Sequence, residues 1–229
     1  TFLGGVFRFS DNGARYGVHR ASLPLHRASG ELDLGQDLST AIGSYMREMG
    51  VDARLLELWA KAAPGGMYVL SPREARELGV FNEGRRPPEW SIAPFPGGTM
   101  LQGRQATSGG TGTVFFSCDD RRIVLGSVFE AAGRGAPVTA QGWSHVVSID
   151  AYEEIPFAAL ATSSAEGVVR ATFIVPPDLI RLAMFAKQIG HRMKPPGSSP
   201  PIGFSVDVDD RSARLVQTFL GSCLRRQAR

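Results

Sequence analysis

Between Glu83 and Gly98 the chain places four prolines (Pro87, Pro88, Pro94 and Pro96) and three glycines in sixteen residues. Proline lacks the backbone N–H and fixes φ, so so dense a set is not expected to hold regular structure. The stretch predicts a linker over 83–98 and a boundary between two domains. The patterns on its two sides differ, helical periods before it and strand-like alternation after it. The expected fold class is therefore an α/β segment over 1–82, followed by an α+β, sheet-rich domain over 99–229.

In the first segment Leu34, Leu38, Ala41, Ile42, Tyr45 and Met49 form one helical stripe, with Asp33 as N-cap and Gly50 as stop. A second helix is expected from Asp52 through Leu55, Leu56, Leu58, Trp59 and Ala62, ended by Pro64-Gly65-Gly66. Ser71-Pro72-Arg73-Glu74 has the form of a capping box with proline at the first helical position, and Gly79 closes that helix. Tyr16–His19 and Met67–Leu70 are short extended pieces.

After the linker, strands are expected at Thr113–Cys118, Arg122–Glu130, Trp143–Ile149, Gly167–Val175 and Gly203–Val208. Gln105–Gly112 is expected as a loop or hairpin tip. One helix should follow Pro176-Pro177 and carry Leu179, Leu182, Ala183, Phe185, Ala186 and Ile189 before Gly190. Another, capped near Asp210 or Ser212, presents Leu215, Val216, Phe219, Leu220 and Cys223.

Several functional classes fall away on composition. The net charge of +3 is spread along the chain without a basic stripe interleaved with aromatics, so no nucleic-acid partner is expected. No apolar run approaches the roughly 18 residues of a membrane-spanning helix. Ser108–Gly112 lacks the Lys-Ser/Thr and the helix of a phosphate cradle, and Asp207, Asp209 and Asp210 suit helix capping better than calcium. No cofactor or metal is expected. Cys118 and Cys223, the two cysteines, have no metal-ligand spacing and are compatible with either a disulfide or two thiols.

Three segments together resemble one family. Phe2-Leu3-Gly4-Gly5 is similar to the end of the helix after a nucleophilic serine. Tyr16-Gly17-Val18-His19-Arg20 is similar to a strand ending in a catalytic histidine. Leu70-Ser71-Pro72-Arg73-Glu74-Ala75-Arg76-Glu77-Leu78-Gly79-Val80-Phe81-Asn82 is similar to a domain-closing segment. All three resemble the Clp protease proteolytic subunits of the crotonase superfamily, in particular their periplasmic bacterial branch. The resemblance implies that residues 1–82 are the rear part of such a domain, with the nucleophilic serine before Thr1.

A serine hydroxyl needs a base to take its proton and a carboxylate to orient that base. By resemblance His19 is the general base, while the position of the acid is occupied by Met67. Two functions follow as expectations: a cell-envelope serine hydrolase acting on peptides, or a non-catalytic scaffold that oligomerises or binds envelope proteins in the periplasm. A peptide or protein partner and a homo-oligomer are implied. Export would favour a Cys118–Cys223 disulfide over free thiols. The remaining histidines are expected in structural roles: His26 in a surface loop, His145 packed on a strand face, and His191 beside a helix C-terminus.

Overall fold

The computed structural model describes residues 2–11, 13–19, 31–63, 65–119, 122–132, 143–150, 153–165, 167–197 and 200–227, with backbone alone for 31–37, 153, 154, 164 and 165. His26 and the side chain of Asp33 lie outside what is described. The chain forms two compact units, Thr1–Arg86 and Pro87–Arg229.

Unit 1 holds a short 3-10 turn (Phe2–Gly4), β1 (Tyr16–His19), α1 (Glu31–Glu48), α2 (Arg54–Lys61), β2 (Met67–Leu70) and α3 (Pro72–Glu77). β1 and β2 pair antiparallel, with Tyr16 opposite Leu70 and His19 opposite Met67. The Ser71 capping box is complete: the Ser71 hydroxyl accepts from the Glu74 N–H, and the Glu74 carboxylate accepts from the Ser71 N–H. Gly79 ends α3 at φ +67°, and a Cβ there would stand 2.6 Å from the Gly50 carbonyl oxygen, so only glycine fits this crossing. The core gathers Met46, Val51, Leu55, Leu70, Ala75, Leu78, Val80 and Phe81. α2 begins after Asp52, whose carboxylate accepts from the Arg54 N–H at 2.8 Å.

One buried polar residue organises this unit. The Arg8 side chain is almost fully enclosed, and its guanidinium donates to the carbonyls of Val80 (2.9 Å), Gly5 (2.7 Å), Met49 (3.0 Å) and Gly79 (2.8 Å). Met49 and Gly79 lie just past the ends of α1 and α3, where carbonyls lack intrahelical donors and carry partial negative charge. The Arg8 amide donates to Asn82 Oδ1, while the Arg8 carbonyl accepts from the Asn82 and Glu83 N–H groups. Burial holds the guanidinium below its ordinary pKa, with the nearby Arg86 acting in the same direction.

Unit 2 is built on two antiparallel sheets. The larger, in spatial order β3-β4-β5-β6-β10-β9, uses β3 (Glu89–Phe95), β4 (Gly98–Thr107), β5 (Gly110–Cys118), β6 (Ile123–Ala131), β9 (Ala161–Ala165) and β10 (Val168–Val175). The smaller, in order β12-β11-β7-β8, uses β7 (Ser144–Ile149), β8 (Glu153–Phe157), β11 (Gln188–Lys194) and β12 (Ile202–Asp207). Helices α4 (Pro177–Ala183) and α5 (Asp210–Gln227) complete the unit. β5 alternates strictly, burying Gly112, Val114 and Phe116. A Cβ on Gly112 would overlap the Phe204 ring of β12, so the glycine admits that ring between the sheets. Trp90 Nε1 donates to the Asp207 carbonyl, and Gln105 exchanges two hydrogen bonds with Asp207, pinning β3 and β4 to β12.

The expected linker over 83–98 is corrected here, because Glu89–Phe95 is a strand of unit 2. Its prolines are tolerated since β3 is the outermost strand, so Pro94 removes no ladder bond on the open side, and Pro96-Gly97 form the two-residue turn into β4. Of the two alternatives over 105–112, the structure has the hairpin: β4 and β5 pair antiparallel and turn at Ser108-Gly109. The helix after Pro176-Pro177 ends at Ala183, and Ile189 lies on β11 instead. The last helix is capped by Asp209, whose carboxylate accepts from the Ser212 N–H at 2.9 Å.

Cys118 at the end of β5 and Cys223 on the buried side of α5 form a disulfide with Cα atoms 5.6 Å apart. The bridge spans 105 residues, a separation for which the chain-entropy model gives about 4 to 5 kcal/mol. Urea unfolding of unit 2 with and without reductant, followed by hydrogen exchange, should show a loss of that order on reduction. An unchanged midpoint with both thiols titratable would contradict it.

Candidate functional site

His19, the general base only by resemblance, closes β1. Tyr16 and Val18 face inward and pack on the unit 1 core, while Gly17 and His19 point to the outer face with Met67 and Val69 of β2. Gly17 has a specific reason: a Cβ there would stand 2.2 Å from the Met67 sulfur, so the thioether lies across the strand where a side chain would otherwise be. His19 and Met67 are directly paired, a relation that brings side chains within about 5.5 Å. The group presented to His19 across the ladder is thus a 63% exposed methionine. A thioether neither orients an imidazole nor stabilises imidazolium.

A cleft of about 590 Å³ opens beside these strands. All four residues of β1 line it, with Leu70 as the sole contribution of β2, so the cleft follows the edge of β1 away from β2. Phe2, Ile42, Tyr45 and Trp59 make the opposing wall largely apolar. The indole Nε1–H of Trp59 is buried without an acceptor, the one such side-chain atom among the described residues. Leaving a buried donor unmet costs on the order of 1–3 kcal/mol.

The histidines of unit 2 depart from expectation. His191 is not beside a helix C-terminus; it sits in the middle of β11, 1% exposed, with the Phe173 ring edge-on at 5.2 Å. Its Nδ1 is 2.8 Å from the hydroxyl of Ser127 on β6, and its Nε2 is 3.0 Å from Nδ1 of His145 on β7. The two imidazoles stack at 5.2 Å. Burial, followed by the neighbouring His145, pushes His191 down to about 3, and burial lowers His145 as well. Both rings are neutral at pH 7. Although Ser127 and His191 meet at nucleophile–base distance, both are about 1% exposed, so no substrate carbonyl can reach that hydroxyl.

Arg8 and Ser127 were not among the expected functional residues, and His191 lies on β11 rather than beside a helix C-terminus. A signal for the last existed, since beyond Lys187 the apolar period changes from helical to two, with Ile189, His191 and Met193 on one face. Arg8 had no local signal, because its partners lie 41 to 72 residues away, Gly5 excepted. Among the described residues no three His, Cys, Asp or Glu side chains converge in a metal-binding group, and no helix is long and apolar enough to cross a membrane. The chain matches no protein-family model, no curated protein and no solved structure.

Proposed function

We propose that the protein is a Clp-like relative of the bacterial cell envelope whose unit 1 binds an extended polypeptide segment without a working Ser–His–Asp triad. The observation that carries this reading is the cleft along β1. Among the described residues β1 pairs with β2 alone, and a strand with one ladder partner can take a peptide as another strand, main chain to main chain. The apolar opposing wall suits alternate side chains of such a peptide. Met67 opposite His19 weighs against hydrolysis.

A second reading, peptide hydrolysis with His19 as general base and a serine before Thr1, is favoured by the position of His19 on the cleft. The disulfide supports an oxidising compartment such as the periplasm. Self-association rests on the family resemblance.

The test uses the full-length protein and short, capped, uncharged peptides of alternating apolar and polar residues. Binding should slow hydrogen exchange at the Tyr16–His19 amides and leave unit 2 unaffected. No protection at β1, with peptide binding absent, would reject the reading. Covalent labelling by a fluorophosphonate that disappears in His19→Ala would replace it with the hydrolase.

A further inference from the structure

We infer that unit 2 carries a second binding site, in which His145 pairs with the hydroxyl of a small, uncharged aromatic ligand and is coupled to Ser127 through a hydrogen-bonded chain by way of His191. The site is independent of the cleft along β1. It begins with the topology: β6 belongs to the six-stranded sheet, and β7 and β11 to the four-stranded one, so the chain Ser127–His191–His145 crosses the interior from one sheet to the other. Its outer end is half-buried and opens on a cleft of about 450 Å³. That volume lies within the ordinary range for small-molecule sites.

The cleft walls select the ligand. Trp143, Phe157 and Pro156 supply apolar surface, and the polar groups besides His145 are the hydroxyls of Ser144 and Thr162. None of the lining residues carries a formal charge, and the buried imidazoles resist taking one. An ion brought here would lose hydration without a counter-charge, whereas a neutral ring would pack against Trp143 and Phe157. His145 and Phe157 are direct ladder partners, so ring and imidazole share one face.

The reason for a hydroxyl lies in the chain of hydrogen bonds. With Nδ1 engaged by His191, Nε2 is the nitrogen His145 has left for a ligand. Two proton arrangements satisfy the chain. In one, the Ser127 O–H donates to His191 Nδ1, His191 Nε2–H donates to His145 Nδ1, and His145 Nε2–H is a donor at the cleft. In the other, His145 Nδ1–H donates to His191 Nε2, His191 Nδ1–H donates to the Ser127 oxygen, and His145 Nε2 is an acceptor. A hydroxyl, both donor and acceptor, can pair with either. Ser127 and His191 are positioning residues, since neither touches the ligand.

The probes are phenol and toluene, titrated into full-length protein with ¹⁵N-labelled histidine rings. Phenol should shift the ring nitrogens of His145 and, through the chain, those of His191. Toluene, close to phenol in shape but with a methyl group in place of the O–H, should bind about tenfold more weakly, the loss of one hydrogen bond. In Ser127→Ala the tautomer distribution of His191 should change, and in His145→Phe the preference for phenol should vanish. Equal binding of the two probes, no binding of either, or a phenol shift that stops at His145 would overturn the proposal. The wild-type titrations decide it even if a variant does not fold.

Discussion

Arg8→Met is expected to unfold unit 1 while leaving unit 2 folded. The substitution keeps the aliphatic stem but deprives four carbonyls, those of Gly5, Met49, Gly79 and Val80, of a charged donor. Hydrogen bonds to charged groups contribute about 1.5–3 kcal/mol each, and a buried acceptor left unmet costs about 1–3 kcal/mol. Even with partial relaxation the loss should reach about 4 kcal/mol, which is comparable with the whole stability of a small domain. Arg8→Lys should recover only a part, because an ammonium cannot reproduce the planar fork that spans the ends of α1 and α3. Hydrogen exchange followed by mass spectrometry gives the readout. Peptides covering 67–82 should lose protection in Arg8→Met, and those covering 98–131 should keep it. Retained protection over 67–82 would show that the guanidinium is dispensable.

Unit 2 should lose stability steeply between about pH 6.5 and pH 3. His191 titrates near 3 in the folded protein and near 6.5 when unfolded. In that window the unfolded chain binds a proton that the folded one refuses, so unfolding is favoured as pH falls. The stabilisation is complete above pH 6.5 and shrinks by about 1.4 kcal/mol per pH unit below it, on the order of 4–5 kcal/mol by pH 3. Replacing the ring by Phe in His191→Phe should flatten this dependence between pH 6.5 and 4.5, above the range in which most carboxylates titrate. Urea midpoints measured across that range decide the matter. A wild type and variant with parallel profiles would mean that His191 is protonated without cost, and that the enclosure around it opens readily.

Which features the amino-acid sequence discloses follows from how far their causes reach. The capping box at Ser71–Glu74 and the glycine at 79 are local devices, settled within a few residues, and both stand where their residue types predict. β5 and β10 carry alternation that depends on one neighbouring layer, and β6 and β7 carry short runs of strand-forming apolar residues, so they too are legible. β3 is not, because its tolerance of Pro94 depends on its being outermost, a property of the whole sheet. β11 follows α4 so closely that Ile189 fits either period, and only the pairing with β7 and β12 selects the extended form. Arg8 and the Ser127–His191–His145 chain join segments 41 to 72 residues apart, where no window of sequence brings the partners together. For the candidate cleft, the resemblance only points to His19 and Met67, and their direct pairing comes from the register of β1 against β2.

The bridge between Cys118 and Cys223 has a consequence for how unit 2 can come apart. Everything between those residues, including all four strands of the smaller sheet, lies inside one covalent ring. A single peptide-bond cut anywhere from 119 to 222 therefore opens the ring without releasing a piece, and the severed strands stay tethered beside their ladder partners. Two cuts, or one cut together with reduction, are needed before any part can diffuse away. In a compartment that holds proteases but no reductant, that topology protects the smaller sheet by connectivity, in addition to whatever its packing contributes.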